Sequence, residues 1–421
     1  MVHHWADAMS ARSRAGFKDD AMASLVVPFN DLRHRFAADS AGYRAAIERV
    51  FAAGRYVLGP EVEAFENEFA ESIGGGHAVG VANGTDAIEL SLRAAGIGAG
   101  DEVLTVAHTA VATACAIERA GARPVFVDIL PHDYTMDPRA VNATIGPRTK
   151  AIVAVHLYGQ PARLKELRQA ADRCGLLLIE DCAQAHAAKY AGRTVGTFGH
   201  LAAFSFYPTK NLGAFGDAGA VFTSDATLAN RVRRLRNYGQ RDRYVHEDAG
   251  GFNSRLDELQ AALLRVSLRR LAADTAERQR LADLYLSRLR VPALPCPAAG
   301  TDHVYHLFVV RHQNRDRFRD ELSRRGVETL VHYPTPIHLQ PAFAHLEGQP
   351  GDLPETERAA CEVVSLPLYP GMTVLQQDVV IAAVNAAAVI ERGREFSPPF
   401  PLREGGPVGL GLAAVGAARS T

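Results

Sequence analysis

The chain has 421 residues, 47% hydrophobic and 22% charged, with a formal net charge of -1. That length can bury a large core and suits one large domain with a smaller one, while the near-zero charge excludes partners held mainly by charge, so neither nucleic acid nor an anionic membrane is expected. The five cysteines (Cys115, Cys174, Cys182, Cys296, Cys361) lack CxxC spacing, which fits a reducing, cytoplasmic setting without disulfides or a zinc site. Neither an apolar run of roughly eighteen residues nor a charged-then-apolar N-terminal signal is present.

In chain order, residues 1–25 read as a loose, polar extension. Pro60 opens a helix with Val62, Phe65, Phe69 and Ile73 on one face. The run Ala78–Val81 reads as a short buried strand that ends at Asn83-Gly84-Thr85-Asp86, and a helix carrying Ile88 and Leu92 follows. Strands are then expected over 101–106, 124–128, 151–156 and 176–180, with helices over 111–120 and 162–174. That alternation implies right-handed crossovers and a mostly parallel sheet covered by helices on both faces. The arginines around Arg231–Arg236 read as a solvated helix face. Long helices are expected over 256–271 and 275–290. The Pro- and Ala-rich stretch 291–300 precedes a smaller α+β unit built on 303–310, 318–325 and 378–390. The divisions are 26–275 for the large domain, 276–395 for the small one and 396–421 for a disordered tail rich in Pro, Gly and Ala.

Ligands of such a sheet sit outside the carboxyl ends of its strands, and three groups fall there. Asn83-Gly84-Thr85-Asp86 is a strand-to-helix turn whose free N–H groups, with the Thr85 hydroxyl, suit a phosphate. Glu180-Asp181 ends a hydrophobic strand in acids, and a carboxylate there needs a positive partner such as a protonated pyridine nitrogen. Ser205 through Gly213 sets Lys210 among aromatic and small residues, where desolvation lowers its pKa and frees the amine for Schiff-base chemistry. Singly, each has an ordinary structural explanation as an N-cap, a capped strand end or a solvated lysine. The three in this order are far more specific.

With Gly59-Pro60-Glu61-Val62, His156-Leu157-Tyr158-Gly159, Gln184, Asn253 through Gln260 and His332-Tyr333-Pro334-Thr335-Pro336, these motifs resemble the DegT/DnrJ family of nucleotide-sugar aminotransferases over residues 27–392. The resemblance implies the fold-type I aminotransferase architecture and pyridoxal 5'-phosphate (PLP) as cofactor. It implies that Lys210 carries PLP as a Schiff base and moves the proton, and that Asp181 pairs with the pyridine nitrogen. Gln184 would contact the phenolic oxygen, while Gly84, Thr85 and Ser205 hold the phosphate. Asn253 of a partner subunit would complete that site, which makes the active unit a homodimer. His332 and Tyr333 would lie near the substrates. The implied reaction moves an amino group from L-glutamate to a nucleotide-linked ketosugar.

One departure stands out. Relatives place an aromatic residue over the pyridine face, and here that position reads Ala110 within Ala107-His108-Thr109-Ala110, so either His108 supplies the packing or the face is covered otherwise. Small side chains at Ser254 and Ala110, with the similarity of His108 through Thr113 to enzymes of deoxyaminosugar pathways, point to a dTDP-3-keto-6-deoxyhexose as acceptor. The alternatives are a 4-ketosugar aminotransferase, a PLP-dependent sugar dehydratase, in which histidine would replace Lys210, and a non-catalytic regulatory relative. No GxxxxGK[ST] motif occurs, which excludes a P-loop nucleotide hydrolase. His186, His306 and His338 lack metal-ligand spacing and read as core or solvated histidines.

Overall fold

A computed structural model describes residues 25–291 and 293–389. Residues 1–24 of the expected extension over 1–25, the tail over 396–421 and the last residues assigned to the small domain, 390–395, lie outside the described residues.

Seven strands form the central sheet: β1 His77–Val81, β2 Glu102–Val106, β3 Arg123–Val127, β4 Thr149–Val155, β5 Leu177–Asp181, β8 Leu201–Ser205 and β9 Gly219–Thr223. Their spatial order is β1-β9-β8-β5-β4-β2-β3. The pairs β2–β3, β2–β4, β4–β5 and β5–β8 are parallel, while β9 runs antiparallel to both β8 and β1. The sheet is therefore mostly parallel, as its sequence implied, with one reversed strand. Short ribbons accompany it: β6 Lys189–Tyr190 pairs with both β7 Arg193–Thr194 and β12 Thr301–Asp302, and β10 Gln240–Asp242 pairs with β11 Val245–His246.

Both faces are buried, which is why the strands read as near-continuous apolar runs. Successive side chains of β4 go to opposite sides, Ala151 and Val153 to one core and Ile152 and Ala154 to the other. Ile88 and Leu92 of the helix Gly84–Ala94 cover the first face. Val62, Phe65 and Phe69 of the helix Pro60–Ile73, with Leu167 of the helix Leu164–Cys174, cover the second.

A separate core gathers Tyr285, Phe308, Phe318, Leu322, Val364, Val380 and Val384 around the antiparallel pair β13 Phe308–Arg311 and β14 Val363–Leu366. Val27, assigned from sequence to the large domain, packs in this second core and is held by Val27 N–H to Gly326 O at 2.7 Å. The long helix expected over 256–271 is shorter, Glu258–Leu268, and a second begins at Leu271. Its start is delayed because Asp257 is extended and Glu258 is committed to capping another helix.

Candidate active site

The registers bring distant turns together. Val81 at the end of β1 and Ser205 at the end of β8 both pair with Gly219 at the start of β9. The turn after β1 therefore lies against the end of β8, so closely that a Cβ on Gly84 would stand 2.6 Å from Ser205 Cβ. Gly219 is equally constrained, since its Cβ would stand 2.4 Å from the Asn83 carbonyl. The Asn83 side chain caps the helix by accepting from Asp86 N–H at 2.8 Å. The N–H groups of Gly84 and Thr85 precede the first intrahelical bond and point from the positive end of the helix dipole. Gly84, Thr85 and Ser205 thus lie together, partly exposed, where free N–H groups can take an anion.

Asp181 ends β5 one strand away, opposite Ala203 of β8. It is buried, accepting from Thr113 Oγ1 at 2.9 Å and from Ala183 N–H at 3.1 Å. Burial raises its pKa, opposed by those two hydrogen bonds and by the charge of Lys210. Lys210 lies in the loop between β8 and β9. Desolvation lowers its pKa to about 8, with Asp181 pulling the other way. Asp181 and Lys210 thus lie close enough for each to shift the other's proton affinity, one strand from the Gly84–Ser205 turn. Thr113 escaped the sequence reading of single sites, although it sits in the His108–Thr113 segment singled out there.

The opposite wall comes from side chains. Gln184 Oε1 accepts from Tyr158 N–H at 2.7 Å, and its Nε2 donates to Tyr333 Oη at 3.3 Å. The Tyr158 hydroxyl donates to the His332 carbonyl and accepts from His108 Nε2 at 2.8 Å. His332 Nδ1 lies 2.9 Å from Ser365 Oγ, and burial with the charge of Lys210 lowers its pKa to about 4. Gln184, His332 and Tyr333 therefore do meet at the site. His108 is wholly buried, with its ring against those of Tyr134 and Tyr158. Ala110 itself is partly exposed.

Asn253 is exposed, joined by a bridge to Asn237. Its neighbour Ser254 corrects an expectation: it is fully buried, donating to Asp86 Oδ2 at 2.7 Å and accepting from Ala82 N–H at 3.1 Å. Its smallness opens no room for substrate, because it pins this segment to the anion turn. The rest of the motif also ties site segments together. Glu258 accepts from the N–H groups of Gly59, Glu61 and Val62 at 2.6, 2.9 and 3.0 Å, and Gln260 accepts from Phe215 N–H at 2.9 Å. The two sequence motifs Gly59–Val62 and Asn253–Gln260 are thus halves of one contact.

His186, His306 and His338 are buried, as core histidines. His306 Nδ1 lies 3.3 Å from Asn211 Oδ1, next to Lys210. Among the described residues His156, Glu180 and Cys182 form a possible metal-ligating group. Its donors are already spent: His156 Nδ1 accepts from Ala162 N–H, its Nε2 bonds Glu180, and Glu180 also accepts from the N–H groups of Gly196, Phe198 and Gly199. Burial and the neighbouring carboxylates hold the Cys182 thiol well above its ordinary pKa, unsuited to a thiolate ligand. This cluster braces the end of β5.

Known proteins match this arrangement. The chain is 51% identical over 364 residues to dTDP-3-amino-3,4,6-trideoxy-alpha-D-glucose transaminase of Streptomyces venezuelae, covering 85% of this chain and 95% of that one. It is 50% identical over 365 residues to the erythromycin biosynthesis sensory transduction protein EryC1 of Saccharopolyspora erythraea, covering 86% of this chain and all of that one. The crystal structure of S. venezuelae DesV in complex with a ketimine intermediate superposes with a TM-score of 0.85 at 50% identity, over 88% of this chain and 100% of that chain. The sequence profile of the DegT/DnrJ/EryC1/StrS aminotransferase family covers residues 39–385. The chain belongs to that family of PLP-dependent aminotransferases.

Proposed function

We propose that the protein transfers an amino group from L-glutamate to carbon 3 of a dTDP-3-keto-6-deoxyhexose, giving a dTDP-3-amino-3,6-dideoxyhexose. The observation that carries this reading is the charge coupling of Lys210 and Asp181 one strand from the close Gly84–Ser205 approach, in a chain about half identical to a transaminase named for a 3-amino dTDP-sugar.

The residues fit PLP. The cradle suits its phosphate, the under-neutralised Asp181 suits a protonated pyridine nitrogen, and Lys210 offers the amine. When bound, the cofactor supplies an electron sink for the carbon that gains or loses a proton. Asp181, fixed at Oδ2 by Thr113, would offer its carboxylate to the protonated pyridine nitrogen. Lys210 Nζ, with its pKa near 8, can both attack as the free amine and carry a proton between neighbouring carbons. Gln184, held by Tyr158 and Tyr333, would contact the phenolic oxygen through its amide. The half-buried wall of His332 and Tyr333 would limit water and orient the sugar.

The active unit in this reading is a cytoplasmic homodimer. The exposed Asn253, with the exposed rings of Tyr207, Phe215 and Tyr238, supports a face that a second copy covers, Asn253 then serving the partner's phosphate. Mixing Lys210→Ala with Asn253→Ala subunits should restore activity through intact sites in heterodimers. No recovery after confirmed subunit exchange would confine each site to one chain.

Substrate choice is tested by offering 3-keto and 4-keto dTDP-6-deoxyhexoses, with and without a 4-hydroxyl on the former, and identifying products by NMR. The expected result is a clear preference in kcat/KM for the 3-keto sugars. Preference for the 4-keto compound would overturn the assignment of the carbon.

A further inference from the structure

Lys210 sits in a loop, so its amine can be placed only as accurately as that loop's backbone. Within the loop, Lys210 N–H donates to Tyr207 O at 2.8 Å and Ala214 N–H to Phe206 O at 2.7 Å. The carbonyls of Pro208, Lys210 and Ala214 turn instead toward one side chain from far away in sequence. Arg35, on the helix Arg33–Ala38, donates through Nη1 to Pro208 O at 2.7 Å and to Ala214 O at 3.5 Å, and through Nη2 to Lys210 O at 3.0 Å.

Gly213 completes the fit. Its φ is not in the left-handed region, so backbone freedom does not explain it. Room does: a Cβ there would stand 2.3 Å from Arg35 Nη1 and 2.6 Å from Pro208 O. The guanidinium occupies the space that a side chain would take. Burial lowers the Arg35 pKa, yet an arginine so placed stays charged at any working pH. Its planar fork can hold several carbonyls in one geometry, which an ammonium on a flexible stem cannot.

We infer that Arg35 is a positioning residue for Lys210, clamping the loop carbonyls so that Nζ stands where it meets the charge of Asp181. The other side of the loop is held by Asn211, whose Nδ2 donates to Val304 O at 3.1 Å. Arg35 thus makes the N-terminal helix part of the lysine's support. This inference rests on Lys210 as the amine that anchors the cofactor.

The test compares Arg35→Met and Arg35→Lys in the full-length holoenzyme. The first readout is the pH midpoint of the visible band of the lysine-bound cofactor. The second is the split between kcat and the KM for glutamate. Arg35→Met should move the midpoint by about half a unit or more, because Nζ changes its distance from Asp181. Its kcat should fall about 10- to 100-fold, a cost typical of a small misplacement of a reacting group, while KM changes less than about twofold. Arg35→Lys should recover part of kcat. A wild-type midpoint in Arg35→Met, with losses that track only a lower Tm, would overturn the inference. Should Arg35→Met not fold, an unshifted midpoint and full kcat in Arg35→Lys would overturn it equally. Failure of the underlying reading is distinct, since the wild-type protein itself would then hold no borohydride-fixed cofactor on Lys210.

Discussion

The floor of the site and its wall are built in different ways. The floor is made at the ends of β1, β5 and β8, where sheet register and helix capping set Gly84, Ser205 and Asp181 with backbone precision. The wall depends on side-chain bonds between segments far apart in sequence, above all the Tyr158 hydroxyl reaching the His332 carbonyl. A floor of this kind tolerates little variation in residue type, because its glycines leave no room and its carboxylate has no substitute. A wall can be re-spaced by changing one ring or hydroxyl. Chemistry should therefore fail with the floor, and substrate preference should shift with the wall.

The largest expected effect is at Lys210. Lys210→Ala should lose at least about a thousandfold in kcat, because nucleophile and proton carrier are one group. Retention of full turnover would break the comparison at its root. Asp181→Asn should keep the cofactor while losing roughly 100-fold in kcat, a scale set by preorganised charge next to the reacting centre. Near-normal turnover in that variant would move the electrostatic role elsewhere.

Tyr158→Phe probes the wall. It strips the partner from buried His108 Nε2 and from the His332 carbonyl, at a cost of about 1–3 kcal/mol in stability. Discrimination between sugar nucleotides in kcat/KM should change several-fold while the visible spectrum is preserved. A spectrum changed as strongly as in Asp181→Asn would merge wall and floor into one unit.

Two smaller effects follow from pH. Cofactor uptake by the apoprotein should rise as pH approaches about 8 and level off above it, since the free amine of Lys210 must attack. An uptake rate flat between pH 6 and 9, measured by absorbance, would contradict that, the span being roughly the range over which such an amine titrates. His108 and His186 have pKa values lowered to about 3 by burial. Below the ordinary value of 6.5 the unfolded chain takes up protons that the folded chain refuses, so stability should fall from that pH down toward about 3. His186→Phe, placed between Phe204 and Phe206, should flatten this fall in Tm-versus-pH curves. A steeper fall would contradict the neutral state of His186.

The contrast also explains what could be read in the sequence. Asn83 through Asp86, Glu180-Asp181 and the segment around Lys210 were legible because each is a contiguous signal at or just beyond a strand end and the three occur together in order. The parallel sheet was legible from its alternating strands and helices, although the reversal of β9 was not, since Gly219–Thr223 is an apolar run without a direction. Arg35, Thr113 and Tyr158 act through contacts made only on folding: Thr113 and Tyr158 stood inside recognised segments without a visible role, and nothing in the neighbours of Arg35 announces it. The reading of Ser254 as spare room failed for the same reason: size was visible, and the hydrogen bonds to Asp86 and Ala82 were not.

The most direct test of the account is borohydride reduction of the purified protein followed by peptide mass analysis. The account expects a yellow protein that bleaches on reduction and carries the pyridoxyl phosphate mass on the peptide containing Lys210. Cofactor mass fixed on another residue, or a colourless protein with full transaminase activity, would contradict it.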